Sequence, residues 1–464
     1  MKIEQFYEKC LSQASYYIED NGVAVIVDPL RDIQQYLDLA EKNQARISYI
    51  FETHFHADFI SGHLELARKT GAEIVFGPGA NTEFDSYSAK DGEIFKIGSA
   101  SIELLHTPGH TLESVCLLLR DSDKKELALF TGDTLFLGDV GRPDLAQSAD
   151  KQISSQDLAG KLYDSLREKI LPIPGETIIY PGHGAGSACG KNMSKETSGT
   201  LAAQKTDNYA LNTQLSREEF INLLCEGLDN PPAYFPENVK INGSGYPNLD
   251  HLMDTGLRAM NPAAFLERSR SMGTLILDTR MPSAYAAGHI SGAINIGLNG
   301  NFAPWAGELL PLSQREIIFL AEPGKEADVV RRLARVGFHQ VSGYLEGGID
   351  EWINQGHEVC LIKEVDGDQL PAYVAEKNIG LIDVRKPSEY ELGHVKDAVL
   401  LPLDQVYQSA ERIDKEKVHL VYCAGGYRSM MFISILRSLG IFNLINVRGG
   451  FAAIPKDDAA AVSQ

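Results

Sequence analysis

The sequence predicts a multidomain α/β protein, and three observations predict it. Short runs rich in β-branched residues alternate with helical stretches through the first half of the 464 residues. A Pro-, Gly- and Asn-rich segment, DNPPAYFPENVKINGSGYPN, then interrupts that alternation. Beyond it one pattern occurs twice, at a spacing close to the size of an ordinary domain.

The elements follow in order. GVAVIVDP (22–29) and RISYIFETH (46–54) read as strands, being apolar runs too short for helices. SGHLELARKTG reads as a helix, with Ser61 near the N-cap and Gly71 at its end. AEIVFGP follows as a strand. SVCLLLRD and ELALFTGD, joined by the polar turn SDKK, form a hairpin. ETIIYPGHG is a strand that runs into a Gly-rich loop. From about residue 200 to 255 the pattern loosens, which puts the first boundary near 250.

The second half is an internal repeat. LDTRMPSAYAAGHISGAINIGL (277–298) matches IDVRKPSEYELGHVKDAVLLPL (382–403), with both the Asp (383 − 278) and the His (394 − 289) 105 residues on. GYLEGGIDEW matches NVRGGFAAI, with the first Gly of each pair 102 residues apart (449 − 347). Each copy reads strand–helix–strand–helix, which implies a parallel sheet.

Composition limits the partners. The chain is 44% hydrophobic and 23% charged, as packed domains are, and its formal net charge is −20. That charge repels nucleic acid and anionic membranes, so neither is an expected partner. No run approaches the roughly 20 apolar residues of a membrane span. The opening MKIEQFYEKCLSQ has no basic stretch followed by an apolar one, so no signal peptide is expected. Cysteines at 10, 116, 189, 225, 360 and 423 are scattered, which points to reduced thiols and a cytoplasmic location. With several domain interfaces available, a homo-oligomer is the expectation.

Chemistry enters at the strand ends. His54 and His56 lie two apart, so their side chains can converge on one side. Asp58 follows on the loop. HTPGHT (106–111), TGDTLF (131–136) and YPGHG (180–184) each place a His or Asp at a Gly-containing strand exit. One such residue alone is more often hydrogen-bonded structure. Four such loops together indicate a metal site.

In this order, H-x-H-x-D, then G-H, G-D and G-H resemble the metallo-β-lactamase superfamily over roughly residues 1–250. The resemblance implies an αβ/βα sandwich with metal at the edge between its sheets. Two-metal members have a histidine directly after the motif aspartate, where this chain has Phe59. A phenyl ring offers no lone pair and excludes water, so one metal is expected. THFHADF, HTPGHT and GDTLFLGDVGRPDL are similar to the persulfide dioxygenase branch. That resemblance implies one Fe(II) per chain, held by His54, His110 and Asp133 with open positions for O2 and substrate. It casts His56, Asp58 and His183 as supports that orient His54 or hydrogen-bond bound water and O2. For Asp58, bracing the loop is an equal reading. Arg142, in GRPD, matches a position near the thiol substrate, where it would pair with a carboxylate of glutathione or a similar thiol. The alternative for Arg142 is a helix-end salt bridge. Cys189, in GHGAGSACGKNMSKE, is either a sulfur relay or a buried inert thiol.

In the last repeat LVYCAGGYRSMMFISILRSLG (420–440) runs an apolar strand into Cys423, then a Gly-rich loop, then a helix. Loop amides and the helix N-terminus can stabilise a thiolate or persulfide there. Arg428 suits an anionic sulfur donor such as thiosulfate. With DVRKPSEYELGH and NVRGGF, this stretch resembles a rhodanese sulfurtransferase domain. The resemblance implies a persulfide on Cys423, with Ala424, Gly425, Gly426, Tyr427 and Arg428 binding the donor. In the earlier repeat the same step back from the Gly pair (348 − 27, against 450 − 27) lands on Ala321. A methyl group cannot hold a persulfide, so that copy should be silent.

Three domains are thus expected: 1–250 with the metal, 255–360 silent, and 365–464 with the sulfur cysteine. The expected activities are oxidation of a small-thiol persulfide with O2 to sulfite, and sulfur exchange between persulfide, sulfite and thiosulfate. The alternative is a zinc thioesterase of the glyoxalase II type that acts on a glutathione thioester and carries a sulfur-carrier tail.

Overall fold

The computed structural model describes residues 1–145, 153–311, 316–374 and 379–455, with the backbone of 462–463. Its contacts form two compact units. One is Met1–Leu249 with Leu333–His339, and the other is Asp250–Arg332 with Gln340–Gln464. Among the described residues no helix is long and apolar enough to cross a membrane.

Two six-stranded sheets make the first unit. One runs, in spatial order, Lys2–Glu8, Gln13–Asp20, Val23–Val27, Arg46–Phe51, Glu73–Phe76 and Tyr87–Ser88. The other runs Gly199–Thr200, Ile178–Pro181, Glu126–Gly132, Val115–Arg120, Ala100–His106 and Ile94–Ile97. Val115, Leu117 and Leu119 join a core shared by both sheets, while Cys116 and Leu118 join the core under the helices. That period-two split explains why the strand reads as an unbroken apolar run: both its faces are covered. Tyr17, Ala24, Ile26 and Ile50 do the same on the first sheet, against helices that contribute Tyr36 and Leu64. The result is an αβ/βα sandwich. Val115–Arg120 and Glu126–Gly132 pair antiparallel, as the hairpin reading requires.

The stretch from 200 to 255 is largely helical, not loose: Leu201–Asp207, Arg217–Cys225, Phe235–Ser244 and Leu249–Gly256. Apolar periodicity missed Phe235–Ser244 because its inner face is partly amide. Asn238 and Asn242 are buried. Asn242 Nδ2 donates to the carbonyls of His56 and Phe59, both at 2.8 Å, and its Oδ1 accepts from the Ser61 amide at 3.0 Å. This helix therefore holds the histidine-rich loop by hydrogen bonds.

The second unit repeats one topology. The order Ala259–Met260, Val341–Leu345, Glu316–Leu320, Thr274–Asp278, Ile294–Asn295 matches Lys363–Asp366, Leu444–Arg448, Val418–Tyr422, Ile379–Asp383, Val399–Leu400. Neighbouring strands are parallel throughout both sheets. Asp278 pairs with Leu320, and Asp383 with Tyr422, so the residues that follow, Ala321 and Cys423, occupy equivalent strand exits.

Candidate metal centre and sulfur loop

His54, His110 and Asp133 come together. Each leaves the end of a strand, and together they form a buried group able to hold a metal ion. Asp133 Oδ2 lies 3.4 Å from His110 Nε2 and 3.9 Å from His54 Nε2. Among the described residues, Asp133 Oδ2 and His110 Nε2 are buried with no hydrogen-bond partner. Buried polar atoms are rarely left so, and a cation between them accounts for both.

Neighbours fix the ligand atoms. His110 Nδ1 donates to the Arg142 carbonyl at 2.8 Å. Thr53 Oγ1 donates to Asp28 Oδ2 at 2.9 Å, so it accepts from His54 Nδ1, also at 2.9 Å. With Nδ1 engaged in this way, each imidazole turns Nε2 toward the ligand group. Burial, reinforced by His56, pushes the His54 pKa well below its ordinary value, so the ring is neutral as a metal ligand requires. Two glycines make room: a Cβ at Gly182 would meet Asp133 Oδ1 at 2.7 Å, and one at Gly141 would meet the Asp133 carbonyl at 2.1 Å.

His183 bridges two carboxylates, with Nδ1 2.8 Å from Asp133 Oδ1 and Nε2 2.8 Å from Asp58 Oδ2. Burial would lower its pKa, yet Asp133 and Asp58 raise it well above the ordinary value, so it is an imidazolium donating from both nitrogens. Burial likewise would raise Asp133, and the charge and hydrogen bond of His183 hold it well below the carboxylate range. His183 thus aims Asp133 Oδ2 at the ligand group and leaves itself no lone pair. His56 faces away, with Nε2 3.1 Å from Asp28 Oδ1 and 3.4 Å from Glu52 Oε2. Burial opposes its charge, but these carboxylates raise its pKa to about 9. The fully buried Phe59 packs its ring 4.4 Å from that of His56. Asp28, Glu52, Thr53 and Asn242 escaped sequence reasoning; Asp28, in VDP just after a strand, was the one legible signal among them.

Of the two readings of Arg142, the structure favours the salt bridge. Its guanidinium is buried and committed: Nε and Nη2 to Asp144 at 2.6 and 2.7 Å, Nη1 to the Ala188 carbonyl at 3.2 Å, and Nη2 to the Asp229 carbonyl at 2.5 Å. No fork remains for a substrate carboxylate, and what reaches the centre is its backbone carbonyl. Cys189 does sit beside the centre, its sulfur within 4.8 Å of side-chain atoms of Asp58 and His183. Burial, then Asp58 and Asp133, push its thiol pKa well up, so it stays protonated.

In the second unit Cys423 is buried, and the amide of Gly426 donates to its Sγ at 3.1 Å. Gly426, at φ +90°, turns the chain into helix Tyr427–Ser438. Ala424 and Gly425 are exposed, and among the described residues nothing lies within 4 Å of a Cβ placed at Gly425. The Phe451 amide donates to the Cys423 carbonyl at 2.7 Å, so the Gly-Gly turn clamps the loop. Tyr427 donates its hydroxyl to the Gly297 carbonyl of the first repeat at 2.5 Å. Arg428 is bound by Glu389.

Sandwich, ligand group and sulfur loop together define a metal-binding enzyme joined to a sulfurtransferase-type module. The family model of the metallo-beta-lactamase superfamily matches residues 9–183, and that of the rhodanese-like domain matches 261–355 and 366–457. Persulfide dioxygenase ETHE1, mitochondrial, of Bos taurus is 30% identical over 226 residues, which are 48% of this chain and 80% of that protein. Probable hydroxyacylglutathione hydrolase glo2 of Schizosaccharomyces pombe is 33% identical over 164 residues, 35% of this chain and 59% of that protein, so the chain spans less than two thirds of that relative. The crystal structure of a metallo-beta-lactamase from Staphylococcus aureus subsp. aureus COL matches with TM-score 0.65 and 32% identity, over 74% of this chain and 98% of that one. The chain belongs to the metallo-beta-lactamase superfamily through its first half and carries two rhodanese-like domains in its second.

Proposed function

We propose that the chain is a bifunctional persulfide dioxygenase and sulfurtransferase, organised as domains 1–250, 255–360 and 365–464. The observation that carries the first activity is the ligand group itself. It offers two imidazoles, that of His54 neutral, and one carboxylate, while His56 and His183 are charged and paired elsewhere. Three protein ligands on one face suit Fe(II) with open positions, which would supply O2 binding and activation. The overall reaction balances as persulfide RSSH, O2 and water giving thiol RSH, sulfite and two protons. His183 holds Asp133 in position, and the Arg142 carbonyl and Thr53 orient the two imidazoles. Cys189, kept as a thiol, is a neutral neighbour for substrate sulfur; as a relay it would first have to lose its proton.

The second activity rests on Cys423 in its loop. Its thiolate attacks the outer sulfur of a persulfide or of thiosulfate. The S–S bond breaks, the thiolate or sulfite leaves with the electron pair, and a Cys423 persulfide remains. Reversal onto sulfite gives thiosulfate. Both activities share persulfide and sulfite, which gives their fusion a reason.

The similarity to glyoxalase-type hydrolases favours one other reading, a zinc thioesterase. Metal analysis after anaerobic purification, followed by O2 uptake on glutathione persulfide, separates the two. Iron with stoichiometric O2 consumption and sulfite release is expected. Zinc, with thioester hydrolysis and no O2 uptake, would overturn the dioxygenase. His110→Ala should lose both the metal and O2 uptake.

A further inference from the structure

Arg428 meets Glu389 end-on, with Nη1 and Nη2 donating to Oε2 and Oε1 at 2.6 and 2.7 Å. Glu389 also accepts from the Lys386 amide at 3.1 Å, which fixes the carboxylate at the start of helix Pro387–Glu391. The pair sits at the rim of the sulfur loop, with Arg428 18% and Glu389 33% exposed. The Arg428 charge interacts with Cys423, so the two share one electrostatic neighbourhood.

The first repeat is an internal control. It has the same strand order, yet Ala284 stands where Glu389 does (389 − 105) and Glu326 where Arg428 does (428 − 102). The fold is built without the pair, and the pair disappears together with the cysteine. That ties Glu389 to the chemistry of Cys423, since the fold itself does not require the pair.

A carboxylate in bidentate contact matches the guanidinium charge. A compact dianion at Cys423 then meets a cation and an anion whose effects largely cancel. An organic persulfide carries at most one charge at the sulfur it delivers, so it loses less. We infer that Glu389 is a specificity-determining residue of the sulfur loop, which by pairing with Arg428 selects organic persulfides over compact dianionic donors such as thiosulfate. The inference rests on the sulfurtransferase reading of Cys423.

The test uses the full chain and follows loading of Cys423 by mass spectrometry, with thiosulfate and glutathione persulfide as donors. Glu389→Gln keeps an acceptor for Arg428 and removes the charge. One charge at this range, at a partly exposed site, predicts a KM for thiosulfate lowered roughly three- to tenfold. The thiosulfate-to-persulfide ratio of kcat/KM should rise in step, and added salt should shrink the change. A ratio that stays constant or falls overturns the inference. So does an equal loss of kcat with both donors in Glu389→Gln and Glu389→Ala, which is what a purely structural role gives. A wild-type chain that loads from neither donor would sink the sulfurtransferase reading itself, a different failure from an unchanged ratio.

Discussion

In both repeats of the second unit, an arginine two residues after a strand-end aspartate folds back onto it. Arg280 clasps Asp278 and donates to the Gly288 carbonyl at 2.8 Å; Arg385 clasps Asp383 and donates to the Gly393 carbonyl at 2.8 Å. In both, a tyrosine ring stacks on the histidine four residues on, 4.0 Å apart for Tyr285–His289 and 3.6 Å for Tyr390–His394. Each tyrosine hydroxyl donates to a backbone carbonyl, Ala293 at 2.6 Å and Ala398 at 2.8 Å. These shared contacts tie one strand end to its following turn, and they are what the fold needs. Cys423, Arg428 and Glu389 have no such counterparts, since Ala321, Glu326 and Ala284 replace them. The comparison separates scaffold from chemistry inside one chain.

The largest effect should come from the cysteine. Cys423→Ser should drop sulfur transfer to the uncatalysed background and leave O2 uptake on persulfide intact, read by thiosulfate formation and an oxygen electrode. Moving the thiol tests the other side. Ala321→Cys in that background should stay at background, because Glu326 stands where Arg428 does and repels an anionic sulfur donor. Sulfur transfer by that double variant would break the comparison. Next in size is the shared clasp. Arg280→Met or Arg385→Met leaves a fully buried aspartate unpaired, at a cost of about 3–5 kcal/mol each. Chemical denaturation should find the two losses alike; a marked inequality would show that the clasp is not common scaffold.

Much of this was legible in the sequence, for physical reasons. The repeat showed because the clasp, the Tyr–His stack and the Gly pair need particular residues at fixed offsets. The cluster of His54, His110 and Asp133 showed because strand exits with glycine place side chains at one edge. Helix Phe235–Ser244 did not show, since buried amides, not apolar residues, face the site. Arg142 was legible as important but not in its role. Residue type left substrate binding and a salt bridge both open, and Asp144 with two carbonyls takes up the guanidinium. Glu389 gave no signal in the sequence, because only the fold brings helix Pro387–Glu391 to Arg428.

A smaller effect should separate the two Gly pairs. A Cβ at Gly450 would lie 2.3 Å from the Cys423 carbonyl oxygen; one at Gly348 would lie 3.8 Å from that of Ala321. Both glycines have positive φ, +56° and +62°. Gly348→Ala should therefore cost only the left-handed penalty, about 1–2 kcal/mol. Gly450→Ala adds a clash of about 1–3 kcal/mol and displaces the sulfur loop, so sulfur transfer should fall as well. Equal stability losses with transfer unaffected would mean that the Gly450 turn does not position Cys423.

The smallest effect is one of pH, and it belongs to the second repeat alone. The Arg428 hydrogen bonds hold Glu389 below its ordinary pKa against the upward push of burial, and the Lys386 amide adds to them. An acid whose folded pKa is depressed stabilises the fold above its unfolded value, near 4.3, and loses that stabilisation as pH falls through the folded value. The difference in melting temperature between wild type and Glu389→Gln should thus be constant from neutral pH down to about 5 and shrink below that. Because the pair is partly exposed, the difference should also fade in high salt. Ala284 carries no such group, so a variant at that position should show no pH-dependent difference. A Glu389 difference that persists unchanged well below pH 4 would mean the side chain acts by packing instead of charge. The charge argument for donor selection would then lose its foundation.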